Sequence, residues 1–204
     1  MIDREAEAFD DVDGDVRYSR IILGGLSQGC AMGMFTFLAG VGSTDGGRLL
    51  GGFVGMSGWL PLRRELDEFF QSASFDDEGE DDEFDLFGRD SNSENGDEHP
   101  SLEAINHIRD ILDLPPLSPT SSDDMPPVDH LRSPVFLGHG SADEEVSIKL
   151  GEEMIDFLAG KLQMDVTWKV YEGFGHWYKT PDEIDGIVRF LQKEVGVPVS
   201  HVGG

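Results

Sequence analysis

The sequence predicts an α/β layered fold built on a parallel sheet. Three observations predict it. Short runs of β-branched and apolar residues end in glycine, longer segments with helical spacing lie between them, and the two kinds alternate along the 204-residue chain. Parallel neighbours in a sheet need a crossover connection, usually a helix, so such alternation argues for helices layered on a parallel sheet. No internal repeat points to a solenoid instead.

The elements follow in order. "YSRIILGG" (18–25) reads as a short buried strand, β-branched and closed by glycines. "SQGCAMGMFTFLAG" (27–40) is apolar almost all round, which suits a helix enclosed by other layers. "LLGGFVGMSGWLPL" (49–62) begins as a second strand and ends in a turn marked by Gly58 and Pro61. In "SLEAINHIRDIL" (101–112), Leu102, Ile105, Ile108, Ile111 and Leu112 have helical spacing, with Ser101 as the expected N-cap and Pro100 before it. "SPVFLGHG" (133–140) is a third strand, "VSIKLGEEMIDFLAGKL" (146–162) an amphipathic helix, and "VTWKVYEG" (166–173) a fourth strand. "PDEIDGIVRFLQKEV" (181–195) closes as a helix, with Pro181 in its first turn and acids early in it, where the helix dipole favours them.

Charge divides the chain. The formal net charge is −26, and residues 65–98 hold fifteen Asp/Glu against one basic residue, Arg89. Such a block repels itself and has little apolar surface to offset its ordering entropy, so it is expected to be disordered. "DLPPLSPTSSDDMPPVDHLRSP" (113–134) reads as an extended Pro- and Ser-rich connector. The expected organisation is one domain over 1–204, interrupted by an acidic and Pro/Ser-rich insertion at about 65–132. Without Lys/Arg clusters the chain is a poor partner for nucleic acid, and its charge disfavours tight docking on anionic lipid. Cys30 is the only cysteine, so no intrachain disulfide forms, which fits a reducing compartment. The start, "MIDREAEAFDDVDGD", lacks the basic and apolar regions of a secretory signal. No apolar run approaches the ~20 residues of a membrane span. The expectation is a soluble, cytoplasmic protein.

Gly25-Leu26-Ser27-Gln28-Gly29 fits G-x-S-x-G, a serine carried on a sharp strand-to-helix turn. Such a turn thrusts the hydroxyl clear of both elements in a strained backbone conformation. Glycine at 25 and 29 is expected where a Cβ would collide with crossing backbone. The helix that follows aims its first N–H groups, beginning with that of Gln28, at the place where an oxyanion would form. Two later loops supply partners. Asp143 falls just past the third strand and His176 just past the fourth. The chain order Ser, Asp, His is the one α/β-hydrolases use. In these roles His176 takes the Ser27 proton and returns it to the leaving group, while Asp143 fixes the imidazole tautomer.

Alternatives exist for each residue. Asp143 could act only as an acid at a helix start, with Glu144 and Glu145 as rivals for the catalytic acid, and His176 could be a plain loop histidine. His139 suggests a metal site with Asp143 and His176, but no dense ligand spacing supports one. Cys30 reads as a small packing residue. No metal or cofactor is expected.

"RIILGGLSQGCAMG", "SGWLPLR", "VFLGHGSADEEVSIKLGEE" and "VYEGFGHWY" together resemble the acyl-protein thioesterase family, α/β-hydrolases of the phospholipase/carboxylesterase group. The resemblance covers residues 18–64 and 133–195 and implies a cytosolic serine hydrolase cleaving acyl thioesters or esters, palmitoylated protein cysteines among them. It implies Ser27 as nucleophile, Asp143 as acid, His176 as base and Gln28 N–H as an oxyanion donor. Trp59 and Leu60 would lie near the acyl group, though core packing accounts for them equally well. Family members carry further strands and a His-Gly-type loop before the elbow that supplies a second oxyanion donor. With seventeen residues before Tyr18 and no apolar strand among them, the chain is expected to be an N-terminally truncated hydrolase. S-acylated proteins or small acyl esters would be its substrates; a non-catalytic fragment lacking half of the oxyanion hole is the rival from another class.

Overall fold

The computed structural model describes residues 1–9, 14–40, 49–72, 99–118 and 128–198. Its centre is a four-stranded sheet, all parallel, in the order β1 (Ile22–Leu26), β2 (Gly52–Met56), β3 (Val135–Gly140) and β4 (Val166–Tyr171). Sequential strands are spatial neighbours throughout, so every connection is a crossover. Helix α2 (Gln28–Leu38) makes the first, α3 (Arg63–Ser72) and α4 (Pro100–Ile111) lie in the second, and α5 (Ile148–Ile155) makes the third. Helix α6 (Asp182–Lys193) follows β4.

Side-chain alternation along the strands sorts the core into two layers. Phe53, Val135 and Leu137 face the larger cluster, with Met34, Phe35 and Leu38 of α2 and Leu102, Ile105 and Ile108 of α4. Val54 and Phe136, one step along their strands, face the other way onto Phe190 of α6. Phe136 and Phe190 meet with ring centroids 5.6 Å apart. The period of two in a strand thus dictates which helix each residue meets.

The sequence reading needs correction at several places. Residues 18–20 do not pair in the sheet; they end a 3-10 helix, Gly14–Arg20. The Tyr18 ring is drawn into the core and its hydroxyl donates to Asp3 at 2.9 Å, so this stretch folds back on a short helix, α1 (Ile2–Glu7), instead of extending β1. Helix α1 escaped notice because only Ile2 and Ala6, four residues apart, mark its buried side. Helix α4 begins one residue before the expected cap. His99 is the N-cap and Pro100 occupies the first turn, where its missing N–H costs nothing. The segment 146–162 is an α-helix only over Ile148–Ile155. It then widens into a π-helical stretch, Asp156–Lys161, where Leu162 N–H donates to Phe157 O at 3.0 Å.

The largest correction concerns the acidic block. Residues 65–72 belong to α3, whose Leu66 is fully buried. Three apolar residues at helical spacing, Leu66, Phe69 and Phe70, anchor this end of the block against α4 and Phe157. Full burial of Leu66 is worth roughly 1.5–3 kcal/mol, and the partly buried Phe69 and Phe70 add to it against local charge repulsion. The rest of the expected disorder, residues 73–98 and 119–127, lies outside the described residues.

Helix α4, though inside the expected insertion, is built into the fold. Its Arg109 is 1 % exposed and donates to Ala39 O, at the end of α2, at 2.5 Å and to Pro115 O at 2.7 Å. His130 Nε2 lies 2.9 Å from Leu38 O. Two basic side chains therefore sit on the last carbonyls of α2, where orphan acceptors and the negative end of the helix dipole need them.

Candidate active site

Ser27 stands between β1 and α2 with φ 57° and ψ −122°, a backbone conformation that L-residues seldom adopt. The strain is held from two sides. Ser27 N–H donates to Met56 O at 2.9 Å, which fastens the turn to β2, and Ala31 N–H donates to Ser27 O at 3.0 Å, which starts the helix. Gly25 has no room for a side chain, since a Cβ there would lie 2.2 Å from the backbone carbon of Gly29 and 2.3 Å from its oxygen. Gly29 is different from the expectation. A Cβ at 29 meets nothing within 4 Å, so the crossing backbones exclude a side chain at 25 alone. Gln28 and Gly29 are exposed, at the start of α2.

Cys30, one turn into α2, is fully buried, and burial pushes its thiol up to about 12 although a backbone hydrogen bond with Met56 pulls the other way. A thiol so protonated is no nucleophile.

Asp143 lies in the loop after β3, with its side chain fully buried, whereas Glu144 and Glu145 are exposed. Its Oδ1 accepts from Glu145 N at 3.0 Å and Val146 N at 2.9 Å. His176, in the loop after β4, points Nδ1 at the same carboxylate, 3.1 Å from Oδ1 and 2.9 Å from Oδ2. The acid at a turn and the partner of an imidazole are thus one residue in both roles. Burial by itself raises the Asp143 pKa; hydrogen bonds from Val146, His176 and Glu145, with the charge of His176, outweigh it and hold the carboxyl below its ordinary 3.8. Asp143 is therefore ionised at neutral pH. Since a carboxylate only accepts, His176 carries its hydrogen on Nδ1 and leaves Nε2 as the free base.

The two loops are stitched together by backbone. Ala142 N–H donates to Phe174 O at 2.9 Å, Ser141 N–H to Tyr171 O at 3.0 Å, and Gly173 N–H to the Ser141 hydroxyl at 2.8 Å. At Gly140 the approach is closest, with a Cβ falling 2.3 Å from Phe174 O. Only glycine permits that contact, and through it the β3 loop sets the height of the β4 loop.

All three residues lie at the carboxyl ends of their strands, and so at one rim of the parallel sheet. The structure joins His176 to Asp143. The Ser27 hydroxyl takes part in no hydrogen bond among the described residues and stays outside that pair. Trp59 and Leu60, just past β2, line a surface cavity of about 410 Å³ together with Leu62, Arg63, Leu150 and Glu153; none of Ser27, Asp143 and His176 lines it. Leu60 is 4 % exposed and also belongs to the larger core cluster, so packing and cavity share it.

Two neighbours of this site were not assigned to it from the sequence. Trp177 is 67 % exposed beside His176, its ring edge-on at 6.1 Å. His139, the next-to-last residue of β3, lies against Asp143 with Nε2 3.3 Å from Oδ2. The signal was the spacing of His139 and Asp143 across the strand end, which the sequence offered only as a metal pattern. Among the described residues no group of three or more His, Cys, Asp or Glu is placed to hold a metal ion.

Comparison with known proteins agrees with this architecture. Residues 1–83 match the family model described as Phospholipase/Carboxylesterase. The acyl-protein thioesterase 1 of Gibberella zeae is 28 % identical over 186 residues, covering 91 % of this chain and 52 % of that protein. That of Yarrowia lipolytica is 25 % identical over 187 residues, covering 91 % and 55 %. Among solved structures, acyl-protein thioesterase 2 of Zea mays superposes with a TM-score of 0.51 at 21 % identity, covering 96 % of this chain and 63 % of that one. Sheet order, strained elbow and these likenesses give the chain an α/β-hydrolase fold. The first 83 residues are similar to the phospholipase/carboxylesterase family, and the chain as a whole is similar to fungal acyl-protein thioesterases. It spans about half the length of the curated relatives it matches.

Proposed function

We propose that this chain is a serine hydrolase that cleaves acyl thioesters or esters, with S-acylated proteins as its substrates. One observation carries the reading: the buried Asp143 carboxylate holds the His176 imidazole by Nδ1, at the sheet rim that also bears the strained Ser27. In this mechanism Ser27 Oγ attacks the acyl carbonyl while His176 Nε2 takes its proton. The Gln28 N–H at the start of α2 faces the oxyanion, supported by the helix dipole. His176 then returns the proton to the departing thiol or alcohol, leaving acyl-Ser27. Water, deprotonated by His176, attacks the acyl group and frees the acid, and Ser27 recovers its proton.

The reaction requires Ser27 Oγ to reach His176 Nε2, a contact that forms in the substrate complex. The apolar side of the cavity beside Trp59 and Leu60 receives the acyl chain; its size falls within the range for small-molecule sites. The chain works in the cytoplasm, a placement supported by its single, buried cysteine. Among the described residues no helix is long and apolar enough to cross a membrane.

A fluorophosphonate probe tests the reading. Wild type should be labelled at Ser27, and Ser27→Ala should not. A palmitoyl thioester should be turned over faster than short-chain nitrophenyl esters. Wild type that is folded by circular dichroism but takes no label would overturn the proposal and leave a non-catalytic hydrolase fold.

A further inference from the structure

We propose that His139 is a positioning residue for the acid of this site: a second histidine on the Asp143 carboxylate that fixes its loop and its orientation towards His176. The inference rests on the reading of Asp143 and His176 as an acid–base pair. His139 is 1 % exposed at the end of β3. Its Nε2 lies 2.9 Å from Val146 O and 3.3 Å from Asp143 Oδ2. Both neighbours are oxygens that accept, so Nε2 bears the hydrogen and donates it to Val146 O, with its positive end beside Oδ2.

The other ring nitrogen confirms the tautomer. Nδ1 is buried without a hydrogen-bond partner, facing Gly151 and Trp168. A hydrogen there would be buried with no acceptor, so the neutral Nε2–H form is the one this pocket selects. The absence of a Cβ at 151 makes the space, since one would stand 2.7 Å from Nδ1. The Trp168 ring closes the pocket edge-on at 6.0 Å. This arrangement also argues against a metal at His139, because Nε2 offers a hydrogen and no lone pair to the site.

The consequence is a closed loop of contacts. Val146 N–H donates to Asp143 Oδ1, while Val146 O accepts from His139. One residue, Val146, is thus held through both its N–H and its C=O, and Asp143 is held through it. The two oxygens share His176 Nδ1, at 3.1 and 2.9 Å; Oδ1 also takes the turn amides, and Oδ2 also faces His139. Without His139 the Val146 carbonyl loses its partner and the carboxylate can swing away from Nδ1 of His176.

Three variants test this. His139→Leu keeps bulk and removes the donor; His139→Gln places an amide N–H near the Nε2 position; His139→Asn places one at the Nδ1 side. His139→Leu should lower kcat about 10–100-fold with little change in KM, as expected when a reacting group loses its support. It should also shift or broaden the downfield Nδ1–H proton resonance of His176. His139→Gln should restore most of both, and His139→Asn should not. Wild-type kcat with an unchanged resonance in folded His139→Leu would overturn the proposal, as would equal impairment of the Gln and Leu variants. If the Leu variant does not fold, the Gln-against-Asn comparison decides on the same terms. If wild type proves inactive, the proposed function fails, while the His176 resonance still reports whether His139 holds the pair.

Discussion

The elbow yields the sharpest prediction, because its two glycines have opposite surroundings. At Gly25 a Cβ would lie 2.2 Å from a backbone carbon, where ordinary contact begins at 3.4 Å, so about 1.2 Å must open between β1 and α2. The obstructing atoms are backbone and cannot rotate aside. Gly25→Ala must therefore displace Ser27, and a misplacement of about 1 Å costs on the order of 10²-fold in rate. Overpacking of this kind also lowers stability by about 1–3 kcal/mol. At Gly29 nothing stands within 4 Å of a Cβ, and the residue lies in a helix, so Gly29→Ala should be neutral or stabilise by up to about 1 kcal/mol. The assay is the second-order rate of fluorophosphonate labelling, paired with thermal unfolding. Gly25→Ala with the labelling rate and midpoint of wild type would refute the steric argument, and so would a Gly29→Ala variant equally impaired.

Other predictions test the surrounding fold and its charges. Ile108→Ala, at a fully buried position of α4, should cost about 2–5 kcal/mol in urea unfolding, whereas Ile111→Ala, at a position 47 % exposed on the same helix, should cost well under ~1 kcal/mol; equal effects would show that α4 does not pack as described. Asp143→Asn should reduce labelling by about 10³–10⁴-fold through the wrong imidazole tautomer, and wild-type labelling in this variant would remove Asp143 from the mechanism. Because the folded Asp143 pKa lies below 3.8, its ionised form adds stability above that pH, lost as pH falls through the folded value. Asp143→Asn should therefore flatten the acid limb of the stability curve, and an acid limb as steep as in wild type would contradict this. Glu183 has the opposite sign. Burial raises its carboxyl above the ordinary 4.5 despite a hydrogen bond from Lys179 N, so its contribution is greatest below pH 4.5 and is lost as pH rises through the folded value. Glu183→Gln should remove that decline, as measured by unfolding midpoints from pH 4 to 8, and a midpoint profile unchanged from wild type would exclude it.

Much of the sheet could be read from composition alone. Strands of Ile, Val, Phe and Gly between helical segments announce parallel pairing, because both faces of such strands are covered. The elbow was visible for a similar reason, since the steric demand at Gly25 lies within five residues of Ser27. Where the reading erred, the deciding contacts were distant in sequence. Tyr18 left the sheet because Asp3 and the core took its side chain. Residues 65–72 became helical because Leu66 found a buried place that their charge gave no hint of. Gly29 fits the motif, yet its neighbourhood is empty.

Local pattern was enough to name an α/β sheet, a serine on a strained turn, and an acid and a histidine on later strand ends, because periodicity and backbone sterics act over a few residues. It favoured Asp143 over Glu144 and Glu145 because acids entering a helix are usually solvated, but it could not say what surrounds each carboxylate or what His139 does. Those answers depend on which groups are taken out of water and which donors then surround them. Asp143 is buried with donors from its own turn and from the loop after β4, and with His139 of β3 beside it, while Glu144 and Glu145 remain in solvent. Desolvation and hydrogen bonding are properties of the assembled fold, and only the packing of β3 against β4 brings them to bear on one side chain.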